Sequence, residues 1–187
     1  MATTYQTPST RNSGFRLGSA TRKSVLIIHI VSSVGWMGLD IALAFLLLTA
    51  LWTDSGVTAA SSYNAVAIFA PISLLVLSAL MLISGLVLGW GTKWGLIHYW
   101  WVFVKLLVAL LMTGLVWFSL APELTAIETQ QATLSADEIR QQLGSAPTQL
   151  LFPPFVSFAL LGISVVLSKF KPWGKTGLNK VAPDRTK

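Results

Sequence analysis

The sequence predicts an all-α, polytopic membrane protein: a bundle of four transmembrane helices with both ends on the cytoplasmic side. Three observations carry this. Charged residues make up 11% of the 187 residues and hydrophobic ones 53%, whereas a soluble domain carries about a quarter charged residues. The apolar residues are gathered into four long blocks, and about 20 such residues cross a bilayer as a helix. Basic residues alternate with basic-poor loops, as the positive-inside rule expects.

The first span runs over about 25–51, with His29 and Asp40 as its only strongly polar members. Its apolar stretch far exceeds a signal-peptide core of about 7–15 residues, so it reads as a retained helix. The second span, about 63–90, carries no charge, and its Gly85-x-x-x-Gly89 motif suits a helix contact. The third, about 97–120, contains His98 and Lys105. The fourth covers about 150–168, and Pro153–Pro154 is expected in its first turn, where proline costs least.

The loops set the orientation. Arg11, Arg16, Arg22 and Lys23 precede the first span without an acid, and Lys93 lies in the short middle loop. The loop at 121–149 holds Glu123, Glu128, Asp137 and Glu138 against Arg140 alone, and the tail at 171–187 is basic. The net charge of +6 therefore reads as topology and as contact with anionic lipids, not as nucleic-acid binding. Trp52, Trp90, Trp94 and Trp173 fall at the expected interfaces. Residues 1–23, rich in Ser, Thr and Arg, read as a disordered cytoplasmic tail. Ser135-Ala-Asp-Glu138 fits a capping box for a short loop helix, with Leu134, Ile139 and Leu143 resting on the membrane or on the bundle. The absence of cysteine excludes disulfides, iron–sulfur clusters and thiolate zinc sites within the chain.

Ionisable residues inside a membrane are costly and face the protein interior or a water-filled cavity. His29, Ser33, Trp36 and Asp40 fall near one stripe of the first helix, with Gly35 and Gly38 beside them for close approach by a neighbour. His98, Trp101 and Lys105 fall on one stripe of the third. Each histidine lies roughly 8–9 Å past a cytoplasmic lysine at the helical rise per residue. Two imidazoles at matching depth can hold a haem iron from both sides. The alternative for each is a hydrogen bond to a neighbouring helix. Asp40 and Lys105 are expected as an interhelical ion pair, a proton relay, or both.

The segments from His29 to Gly38 and from Trp94 to Lys105 resemble those of uncharacterised four-helix membrane proteins of actinobacteria. More loosely, they resemble the membrane-embedded protoporphyrinogen oxidase that binds b-type haem, and the copper-resistance-D type membrane proteins. That resemblance implies His29 as one axial ligand, with His98 and Lys105 as the later pair. The His98–Lys105 spacing is wider than in the oxidase, and an arginine soon after the first motif is absent. The resemblance therefore implies the haem site more than the oxidase activity. The expected function is a redox membrane protein of the bacterial plasma membrane binding haem b or a quinone near His29, His98, Trp36, Trp101 and Lys105. The alternatives are a non-catalytic assembly partner, or a transport subunit, acting as a homo-oligomer, that uses Asp40 and Lys105.

Overall fold

The computed structural model describes residues 17–92, 95–127 and 134–176. The expectations for residues 1–16, for Lys93, Trp94 and Glu128, and for the last residues of the basic tail lie outside them. Helix α1 spans Ser19–Trp52, α2 Gly56–Gly91 and α3 Trp100–Leu115. A π-helical turn at Val116–Leu120 continues into α4, Ala121–Ala126; then come α5, Ala136–Leu143, and α6, Ala146–Phe170. There is no strand among the described residues, and four helical rods, including α3 to α4 as one, are long and apolar enough to cross a membrane.

α1 packs on α2 and α6, α2 packs on α3 and α4, and α3 meets α6 over a short stretch. Helices α1 and α3 thus face each other across the bundle. The buried centre is built by Trp36, Leu43 and Leu47 of α1 with Tyr63, Val66 and Leu74 of α2. Outward, Ile27, Val31, Phe45, Ile68, Ile72, Phe118 and Phe155 are exposed. A belt of large apolar side chains on every rod is what lipid contact requires, since hydrocarbon solvates them as water cannot.

Most rods outrun their sequence-based limits. α2 starts at Gly56, where the Ser55 hydroxyl accepts a hydrogen bond from the Thr58 N–H at 3.3 Å and caps the first turn. α1 reaches back to Ser19, so the end of the expected disordered tail is helical. α6 begins at Ala146, with Pro147 in its first turn. Pro153 and Pro154 therefore lie inside α6, not in its first turn as expected. Each proline lacks an N–H, so the carbonyls of Gln149 and Leu150 lose their usual helical donors.

The described residues of the expected loop at 121–149 are largely helical. The capping box is present: the Ser135 hydroxyl accepts from the Glu138 N–H, and the Ser135 N–H donates to the Glu138 carboxylate at 2.8 Å. Ile139 is fully buried, and Leu134 and Leu143 pack against the core. α5 thus rests on the bundle. Hydrogen bonds from the Ser135 N–H and hydroxyl hold the Glu138 carboxyl below the usual carboxylate range. A pKa lowered by folding adds stability above the unfolded value, which is lost as pH falls through the folded one. Glu138→Gln, which cannot ionise, should therefore show a flatter acid limb in melting temperature against pH.

Arg140 closes this end of the molecule. Its Nη1 donates to the carbonyls of Ala50, Leu51 and Thr53 at 3.3, 3.2 and 3.0 Å, and its Nη2 pairs with Asp137 at 2.6 Å. These carbonyls end α1, where the last turn has no intrahelical donors and carries partial negative charge. Arg140→Ala should cost roughly 2 kcal/mol, the scale of hydrogen bonds to a charged group, read as a drop in thermal unfolding temperature in detergent.

Candidate functional site

Asp40 is the most deeply buried ionisable side chain of α1, at 3% exposure. The Ser157 hydroxyl of α6 donates to its Oδ2. Trp36, one turn earlier and itself buried, adds a second side-chain hydrogen bond. The sequence stripe that joined Trp36 to Asp40 is thus real, but its partner helix is α6, not α3.

Above this group opens a cavity of about 360 Å³, walled by α1, α6 and the rod from α3 to α4. Its closed end carries Trp36, Asp40 and Ser157; its walls carry Met112, Val116, Phe152 and Leu160; Ser119, Glu123 and Gln149 add polar groups. Two local irregularities shape it. The π-turn at Val116–Leu120 supplies several wall residues, and such turns occur frequently at functional sites. The Trp117 N–H fixes the turn to α2 by donating to the Ser78 hydroxyl at 3.2 Å. Across the cavity, Pro153 interrupts the hydrogen-bond ladder of α6.

The expected Asp40–Lys105 ion pair does not form. Lys105 donates to the Ser168 hydroxyl of α6 at 2.6 Å, and its Nζ lies 5.8 Å from the centre of the Trp101 ring. The physical reason is the layout: α1 and α3 lie across the bundle, and a serine of α6 satisfies each charged group first. Trp101 and Lys105 remain together, as their stripe requires.

The two histidines also part company. His29 faces α2: its Nδ1 lies 3.0 Å from the Met81 carbonyl and 3.1 Å from the Ser84 hydroxyl. Gly85 makes room for the ring, since a Cβ there would stand 3.2 Å from His29 Cε1. Gly89 similarly admits Leu96, and Gly35 meets Leu77, whereas Gly38 has no neighbour to admit. A proton on Nδ1 donated to a carbonyl leaves Nε2 as the lone-pair nitrogen.

His98 is exposed and precedes α3, so it is not a residue of that helix's buried stripe. The chain turns at Gly95, with φ of 62°, where any side chain would run into the His98 ring. Residues 97–99 are then tied to the chain after α6. The Thr176 N–H donates to the His98 carbonyl at 2.9 Å, its hydroxyl donates to the Ile97 carbonyl, and Tyr99 bridges to Lys175. The bridge holds Tyr99 at φ −129° and ψ 132°, outside the helical region, so α3 starts at Trp100 instead of 97. The facing pair of helical imidazoles expected for haem is not assembled, and no cluster of three or more His, Cys, Asp or Glu that could hold a metal occurs among the described residues.

Sequence reasoning missed Ser157, Ser168, Arg140 and Ser78. A serine in an apolar span looks like any small residue. Ser157 alone had a signal, since it follows the paired prolines that loosen α6. What all this geometry defines is a four-span membrane bundle with a carboxyl-ended cavity. No family model matches the chain, and comparison with curated proteins and with solved structures gives no match.

Proposed function

We propose that the chain is a multi-pass protein of the bacterial plasma membrane, with both termini cytoplasmic, that binds the ring of a lipid-soluble quinone-class cofactor in a redox role. The observation that carries this is the cavity ended by Asp40. Its size suits a single ring, its walls are aromatic and aliphatic, and a few polar groups converge at its closed end. The basic residues before α1 and after α6 support the orientation and contact with anionic lipids.

The test is photolabelling of the detergent-purified protein with a short-tailed azido-benzoquinone, mapped by mass spectrometry. Label concentrated at 111–123 and 149–160 is expected. Label spread equally over lipid-facing Phe45, Ile72 and Phe170 would overturn the reading. Val156→Trp, which fills the cavity from an exposed wall position, should remove most of the specific label.

A second reading is favoured by His29. A metal-bound histidine usually donates its other ring nitrogen to a carbonyl or carboxylate, which fixes its tautomer and orientation. The His29–Met81 contact has that form. In this reading His29 is the protein's ligand to a b-type haem, with Lys105 and Trp101 in the same half of the bundle. His98 lies on the exposed turn before α3, not on a facing helix. An absorption spectrum of protein from haem-supplied cells, oxidised and then dithionite-reduced, decides it. A Soret band with sharp reduced bands, lost in His29→Ala, is expected; a featureless spectrum removes the reading.

A further inference from the structure

Lys105 has no carboxylate partner among the described residues. Its Nζ donates to the Ser168 hydroxyl, which itself donates to the Ser164 carbonyl at 2.9 Å. An ammonium carries further N–H donors beyond that one. Asp40, Asp54, Glu123, Asp137 and Glu138 lie midway along the bundle or at its far end. The near end, where α1 and α3 begin and α2 and α6 finish, exposes Arg22, Lys23, Lys169, Lys171 and Lys175 and has no acid among its described residues.

Ser168 fixes the depth of the ammonium. It stands two residues before the end of α6, about 3 Å at the helical rise. Trp90, Trp100 and Trp173, exposed at the same end, mark the level of the head groups. A lysine there packs its stem on apolar surface and keeps its charged tip at the interface. Lys169 and Lys171 are accounted for by the end of α6, since a helix C-terminus favours cations. Lys105 is not, because its side chain leans toward the N-terminus of α3, the end that favours anions. The seam beside it is open to lipid: α3 meets α6 over a short stretch, and Trp100, Val166 and Phe170 are exposed.

We infer that Lys105, positioned by Ser168, holds the phosphate of one anionic phospholipid at the α3–α6 seam. The acyl chains follow the exposed apolar residues, and the phosphate oxygens accept from an ammonium, which makes the hydrogen bonds charge-assisted. This rests on the anionic-lipid contact proposed above and narrows it from a diffuse attraction to one bound head group. It is separate from the Asp40 cavity, which Lys105 does not line.

Native mass spectrometry of the detergent-purified protein tests it, by titration with phosphatidylglycerol and with phosphatidylcholine of the same chains. One phosphatidylglycerol per chain is expected to bind in preference to phosphatidylcholine. Lys105→Met should weaken it about thirtyfold, the scale of hydrogen bonds to a charged group, and Lys105→Arg should restore most of it. Lys169→Gln, Lys171→Gln and Lys175→Gln lower only the surface field and should each cost about fivefold or less. A loss in Lys105→Met no larger than in those three, with the preference kept, overturns the site and leaves the diffuse contact standing. Equal binding of the two lipids by the wild-type protein overturns both. Displacement of phosphatidylglycerol by an equal concentration of inorganic phosphate makes the ligand a soluble phosphate and overturns the lipid. Where Lys105→Met fails to insert, a photoactivatable phosphatidylglycerol on the wild-type protein decides. Label at 100–105 and 164–171 is expected; label spread evenly over the four rods overturns the site.

Discussion

Asp40→Leu should unfold at a higher temperature than the parent protein and bind nothing in its cavity. A buried aspartate in a transmembrane helix costs about 2.5–3.5 kcal/mol on insertion scales. Its partners recover part of that, and of the two only the Trp36 N–H loses its acceptor when it goes. The Ser157 hydroxyl has a second acceptor in the Pro154 carbonyl at 3.4 Å, and a leucine would fill the closed end with apolar contacts. A gain on the order of 1–3 kcal/mol follows, the range seen when buried charged groups give way to apolar ones. Stability gained with function lost is the usual mark of a site retained for activity. Thermal unfolding in detergent, run beside the photolabelling assay, reads both quantities. A lower unfolding temperature would make Asp40 a structural residue and remove the main support for the cavity as a binding site.

The second large effect is expected on the other side of α1. Gly85→Leu should separate α1 from α2 around His29. Even a Cβ at Gly85 is tight against the imidazole, and α2 is the surface on which that ring rests. Overpacking of this kind costs roughly 1–3 kcal/mol, and here the loss of the His29 contacts adds to it. His29→Ala should be milder, because neither acceptor is orphaned. The Ser84 hydroxyl still donates to the Leu80 carbonyl at 2.5 Å, and the Met81 carbonyl, inside α2, keeps its helical donor, the Gly85 N–H. The order of unfolding temperatures should therefore be parent, His29→Ala, then Gly85→Leu. The reverse order for the two variants would show that His29 holds the helices together by more than packing.

The four spans were legible because each rests on local information, a run of apolar residues long enough to cross a bilayer. The capping box was legible for the same reason: Ser135 and Glu138 lie three positions apart and need no distant partner. Trp36 and Asp40, and Trp101 and Lys105, were correctly placed together because helical periodicity alone joins them. The errors came where a partner distant in sequence decides. Periodicity carried α3 back to include His98, but the bridge to Lys175 holds Tyr99 outside the helical region, and nothing local announces it. Opposite charges suggested Asp40 with Lys105, whereas helix order gave each a serine of α6. Pro153 and Pro154 read as a helix start by propensity, yet Pro147 holds that position and the pair sits beside the cavity.

The Arg140 clasp has a consequence for how the chain is made. Its guanidinium lies 90 residues beyond the Ala50 carbonyl it covers. Chains emerge from the ribosome at about 5–20 residues per second, so the α1–α2 hairpin enters the bilayer seconds before its clasp exists. During that interval the end of α1 must be satisfied by water and lipid head groups at the interface. Closure of this face is thus a late event, and a nascent chain halted before residue 140 should carry both helices inserted but their junction still open to proteolysis.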